Sequence, residues 1–275
     1  MINKNPALGD KTRVNYFNLY KRIIAILENT IHETSNVDLI KIIKDFDCSS
    51  TAKNALLNVI VKIKQAYNMG IEELIKFRNW LFEQATKDKV EQNLILQETL
   101  PTFQELKKYV FDLYANGQYK LFVVNFLLFQ FGCRNIDCDC VISYEGKRLS
   151  KKDNWLNVKK TGIEWIRNKY KTVSTYGPKK NLITNAKFID AITKLNITDR
   201  DPLLTIGSYR VPDAQLAQTI QRMTINKIGE GKVFKILVEN STVAGLSRLS
   251  KNRGTNIATI ISAYNLHEDP ITDDD

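Results

Sequence analysis

Arg134 stands in FQFGCRNIDCDC, residues 129–140, directly after YKLFVVNFLL, one of the most apolar stretches of the chain. A guanidinium set beside a core is costly to desolvate and needs an anion. Asp137, three residues on, is one candidate; an anion bound from outside is the other. The fork of an arginine suits phosphate because it grips two oxygens at once. Metal chemistry is a second possibility raised by Cys133, Cys138 and Cys140. Their C-x4-C-x-C spacing lacks the C-x2-C of zinc sites, and neither His32 nor His267 lies near them in sequence. No metal site is expected.

Charge favours the external anion. The chain carries a net +10 and a pI near 9.3, a balance that suits a polyanionic partner. The excess is concentrated. Lys147, Arg148, Lys151, Lys152, Lys159, Lys160, Arg167, Lys169, Lys171, Lys179 and Lys180 face only Glu145, Asp153 and Glu164 in the same stretch. A solvated surface would account for such a block, but its place among strands and turns favours nucleic acid. The chain then closes on the acidic HEDPITDDD.

The elements that position these residues follow from periodicity. The 275 residues suffice for one full core or two domains. Residues 12–93 read as four helices. The first places Val14, Phe17, Ile24 and Leu27 on a helical period; the third starts from a Ser/Thr cap and stops at Gly70; the fourth has glutamates in its first turn. NLILQETLP reads as a linker over 94–101. Thr102 and Glu105 then match a capping box, and a buried helix leads to Arg134. NWLNVKK, IEWIRNKYKT and NLIT read as short strands between turn signals, with helices after them. The expected fold is mainly α with a small antiparallel β-sheet (α+β): a helical domain over 1–93, a larger domain over 102–266 and an acidic tail over 267–275.

This layout resembles the tyrosine recombinases, the integrase family that includes Cre and the Xer proteins, over almost the whole chain. The N-terminal helices resemble that family's core-binding domain. FGCRNID is similar to its first arginine motif, which makes Arg134 the first catalytic arginine. RNKYKTVSTYGPKK is similar to its β-hairpin, whose Lys-Thr pair assigns a catalytic role to Lys171. TNIATIISAYN ends a helix at Tyr264, where the family has its nucleophile.

The resemblance implies a phenol attacking a DNA phosphodiester, leaving a 3'-phosphotyrosine and a free 5'-hydroxyl, with no cofactor, ATP or metal. Guanidinium donors stabilise the charge that builds on the non-bridging oxygens, and a lysine protonates the departing oxygen. The pattern departs from the family at its His-x-x-Arg box, which here reads Lys232-x-x-Lys235. Lysine keeps the charge but loses the two-pronged grip. Arg253 is close enough in sequence to substitute, with Arg222 and Arg248 as further candidates, and the family's later His/Trp position falls near Thr255.

Three function classes therefore stand: an active strand-exchange enzyme, a recombinase-fold DNA-binding protein whose chemistry has decayed, and a type IB topoisomerase-like enzyme. In each the partner is double-stranded DNA. The family's two domains close on the duplex as a clamp. Lys151, Lys152, Arg167, Lys169 and Lys179 would then lie along phosphates, with Thr51, Lys53 and Asn54 near a groove. The family also implies a homotetramer on paired sites when active. No run spans a bilayer and no secretory signal opens the chain. The cysteines suit a reducing compartment, so an intracellular place, cytoplasm or nucleus, is expected. Divergence from bacterial patterns suits a virus or mobile element.

Overall fold

Two compact units, Met1–Ile95 and Leu96–Asp275, divide the chain in the computed structural model, which describes residues 10–27, 30–144, 146 and 149–264. Lys147, Arg148, Glu145, His267 and the acidic tail lie outside the described residues. Among the described residues, no helix is long and apolar enough to cross a membrane.

The first unit holds α1 (Asp10–Ile24), α2 (Asn36–Asp45), α3 (Ser50–Ala66) and most of α4 (Glu72–Thr99). Ser35 and Ser49 cap α2 and α3 by accepting the amides of Asp38 and Ala52 at 3.1 and 3.3 Å. Ile23, Leu39, Ile43, Leu56, Leu57 and Ile60 make the core. The buried stripe of α1 is Tyr16, Leu19, Tyr20 and Ile23, with Leu27 just beyond. Val14, Phe17 and Ile24, expected inside, are instead exposed. Both stripes keep helical spacing, so periodicity alone could not choose between them. α3 stops four residues before Gly70, because Asn68 turns the chain at φ 52°. The stretch read as a linker, 94–101, is helix as far as Thr99.

The second unit is built on α6 (Tyr119–Phe131), whose residues from Phe122 to Leu128 are all buried. A helix apolar on every side must be enclosed. Its one interior polar side chain, Asn125, donates to the carbonyls of Leu121 and Met223, both at 2.8 Å. Around it pack α5 (Phe103–Ala115), which opens on the expected Thr102–Glu105 capping box, α8 (Ala186–Lys194), α9 (Asp213–Met223) and α10 (Gly229–Glu239). α11 (Val243–Arg253) and α12 (Ile257–Tyr264) end the described chain.

A four-stranded sheet covers one side in the order β1 (Cys140–Ser143), β2 (Asn154–Lys159), β3 (Gly162–Arg167), β4 (Lys179–Ile183). β1 runs parallel to β2 and the other pairs are antiparallel, so the sheet is mixed, not antiparallel. The difference comes from Cys140–Ser143, which follows the arginine turn and has no alternating pattern, all four residues being buried. A two-residue pair, β5 (Thr205–Ile206) and β6 (Tyr209–Arg210), stands apart.

β3 ends at Arg167, five residues before the end of the strand read from IEWIRNKYKT. Asn154 captures the chain there, its side chain taking the amide of Lys169 at 2.7 Å and donating to that residue's carbonyl at 2.9 Å. Residues Val173–Tyr176 then form a single helical turn, α7.

Candidate active site

Gly132 ends α6 in the left-handed region, at φ 58° and ψ 32°. A Cβ there would lie 2.6 Å from Leu249 on α11 and 2.7 Å from Phe234 on α10. Glycine is thus required twice, by dihedral and by space. The close approach sends the next residues along the end of α11. The Arg134 amide donates to Asp137 at 2.8 Å. Its guanidinium does not pair with that carboxylate. Nη1 donates to the Arg253 carbonyl at 2.5 Å and Nη2 to the Thr255 hydroxyl at 2.7 Å. Burial, and next the nearby Arg253, lower the Arg134 pKa from its ordinary value.

Asp137 is fully buried and 3.8 Å from Arg167, itself buried. Burial raises the carboxyl pKa against the pull of Arg167. Arg167 donates to the Asn252 carbonyl at 2.7 Å and to Asn181 at 2.9 Å, and stacks 4.2 Å over Trp165. Lys179, opposite Arg167 in the β3–β4 register, donates to the carbonyls of Lys251 and, at 3.4 Å, Asn252.

The last carbonyls of α11 thus collect three cations: residue 251 takes Lys179, residue 252 takes Arg167 with a second contact from Lys179, and residue 253 takes Arg134. Helix ends leave such carbonyls without partners inside the helix and carry partial negative charge, so cations gather there. Gly254, at φ 63°, closes the helix and accepts the Thr172 hydroxyl at 2.9 Å through its carbonyl.

Arg253 itself turns inward. Its Nη1 donates to the Gly132 carbonyl at 3.0 Å, and its Nη2 reaches the Glu230 carboxylate and, at 3.0 Å, the Tyr264 hydroxyl. The guanidinium lies 3.9 Å from the Phe234 ring centre and 5.0 Å from that of Tyr264. The two rings meet edge-on at 4.7 Å. Chemically, this holds a phenol against a guanidinium, and Thr255, which accepts from Arg134, also lines a cleft of about 540 Å³. Lys179, Lys180, Lys251 and Thr255 line that cleft.

The remaining expected residues fall as follows. Lys171 is exposed, and among the described residues no hydrogen bond or ion pair holds its ammonium. Lys232 is exposed and Lys235 half-buried on α10, but what α10 brings to Arg253 is Glu230 and Phe234. Arg222 and Arg248 are exposed. Lys169 pairs with Asp213 at 2.9 Å. Lys151 and Lys152 are exposed, and Lys151 lines a second cleft, of about 570 Å³, with Lys159 and Lys180. In the first unit, Lys53 donates to the Lys44 carbonyl at 2.5 Å, Thr51 is exposed and Asn54 is half-buried beside it in sequence.

Sequence reasoning missed Glu230 and the carbonyls of α11. The first had a signal, an acidic residue in the opening turn of a helix; backbone acceptors have none. Cys133 and Cys138 lie with sulfurs 3.6 Å apart, and Cys140 donates to the Asp137 carbonyl. Among the described residues, no group of three or more His, Cys, Asp or Glu side chains is placed to hold a metal. Comparison with known protein families, curated proteins and solved structures gives no match for this chain.

Proposed function

We propose that the chain is a DNA strand-exchange enzyme of the tyrosine-recombinase type, breaking and rejoining a duplex through a phosphotyrosine intermediate. The observation that carries this reading is convergence. Arg134, three residues past α6, donates to the backbone carbonyl of Arg253 at the end of α11, and the Arg253 guanidinium donates to the Tyr264 hydroxyl on α12, although 119 residues separate the two arginines. The sequence order and the residue types are those that the chemistry needs. Arg253 stabilises the phenolate of Tyr264, and Arg134, the more accessible guanidinium, exchanges its protein acceptors for phosphate oxygens. The Lys-rich cleft beside Thr255 supports the choice of a polyanion as substrate.

Incubation with nicked duplex substrates that release a short 5'-hydroxyl fragment tests this. An adduct that survives detergent, forms with a chelator present and vanishes in Tyr264→Phe is the expected result.

A second reading, a DNA-binding protein of this architecture without chemistry, is favoured by the buried Glu230–Arg253 pair, which spends one cation on the protein itself. Tight DNA binding with no adduct on any substrate would establish it in place of the first.

A further inference from the structure

The proposed chemistry needs a proton donor for the departing 5'-oxygen, and the sequence suggests Lys171. The fold offers a different lysine. Lys171 is exposed, with no hydrogen bond or ion pair to its ammonium among the described residues, whereas Lys179 is half-buried against the same α11 turn that holds Arg134. Its ammonium donates to the carbonyls of residues 251 and 252, two residues and one residue before the carbonyl that accepts Arg134. A Cβ on Gly254 would lie 3.0 Å from Lys179 Nζ, which places that ammonium against the α11–α12 turn. The same lysine lines the cleft together with Thr255, the other acceptor of Arg134.

We propose, on the strand-exchange reading above, that Lys179 is the catalytic acid of the cleavage step. The Tyr264 oxygen bonds to phosphorus, its proton passing to solvent base. The bond from phosphorus to the 5'-oxygen breaks with its electron pair going to that oxygen. The Lys179 ammonium gives the oxygen a proton and becomes a neutral amine; rejoining runs the same transfers backwards.

The surroundings suit an acid rather than a permanent charge. Burial, and then Arg167, bring the Lys179 pKa from 10.5 down to about 8, with Arg134 and Lys251 acting in the same direction and Asp137 against it. Tyr170 and Tyr176 face the ammonium with ring centres at 5.2 and 5.5 Å. A donor that titrates near working pH transfers its proton readily.

The experiment compares wild type, Lys179→Met, Lys179→Arg and Lys171→Met on two nicked duplexes, one natural and one with sulfur replacing the bridging 5'-oxygen. A thiolate leaves without protonation. Lys179→Met should lose about 100-fold or more in adduct formation on the natural substrate and recover on the sulfur substrate. Lys179→Arg, which keeps the charge and controls for folding, should bind DNA but show the same loss and the same recovery. If wild type forms no adduct on either duplex, the strand-exchange reading itself falls. If wild type cleaves and the Lys179 defect is absent or persists with sulfur, the acid is elsewhere. Sulfur rescue of Lys171→Met alone would assign it to Lys171.

Discussion

Arg253 illustrates what a single residue can hold together. It touches the end of α6 through Gly132, α10 through Glu230 and Phe234, and α12 through Tyr264, all from a 3% exposed position. Removing one member of a buried charge pair strands the other, typically at about 3–5 kcal/mol. Arg253→Met should therefore lower the unfolding free energy by about 3 kcal/mol in urea titrations; a loss within measurement error would mean that Glu230 finds water. Lys179 makes a prediction of opposite character. On the proposed mechanism its charged form is the acid, so wild-type cleavage should fall as pH rises through about 8. The fold, by contrast, disfavours that charge, and the unfolded chain holds the proton up to 10.5. Stability from this group is therefore lower below pH 8 and rises between about 8 and 10.5. Activity falling while melting temperature holds or climbs would separate proton loss from unfolding.

At the scale of elements, the α11–α12 turn is the junction on which the cluster depends. Gly254 sits at φ 63° with the Thr172 hydroxyl 2.6 Å from where a Cβ would stand. Gly254→Ala combines a left-handed backbone penalty of roughly 1–2 kcal/mol per residue with overpacking of about 1–3 kcal/mol. The expected outcome is a destabilised protein with faster amide exchange in α12 than in α6. Equal protection of the two helices in the variant would mean that the turn is not their link.

This junction also marks the limit of what the sequence could tell. The apolar run of α6 and the capping box of α5 are local signals, and both gave the right element. The pairing of β1 with β2 is not local, because Cys140–Ser143 has no alternation to read. Nor was the buried face of α1, where two stripes share one period. At the site, residue types at Arg134 and Tyr264 were legible, and their proximity to Arg253 rests on three packed helices. The carbonyls of residues 251–253, which gather the cations, carry no side-chain identity at all.

For the whole molecule, the net charge of +10 is the quantity that a binding experiment feels first. If six to ten phosphates are neutralised, affinity for duplex should fall by about 10³–10⁵ between 50 and 200 mM salt. A fluorescence-anisotropy titration reads this directly, and a flat response would remove the polyelectrolyte contribution. Arg134 should add little to that slope while its donors remain on α11, since a cation already compensated releases few counterions.

Gly132 has one more implication. Positive potential near Tyr264 can come from a lysine, an arginine or a backbone dipole, although a lysine gives up the two-pronged grip. The point where α6 meets Phe234 and Leu249 admits no such exchange, for any side chain there would collide. Sequence drift would thus erase the charged signature of this architecture before it altered the two left-handed glycines at either end of the cluster. Distant kin would be recognised by those hinges and their separation along the chain.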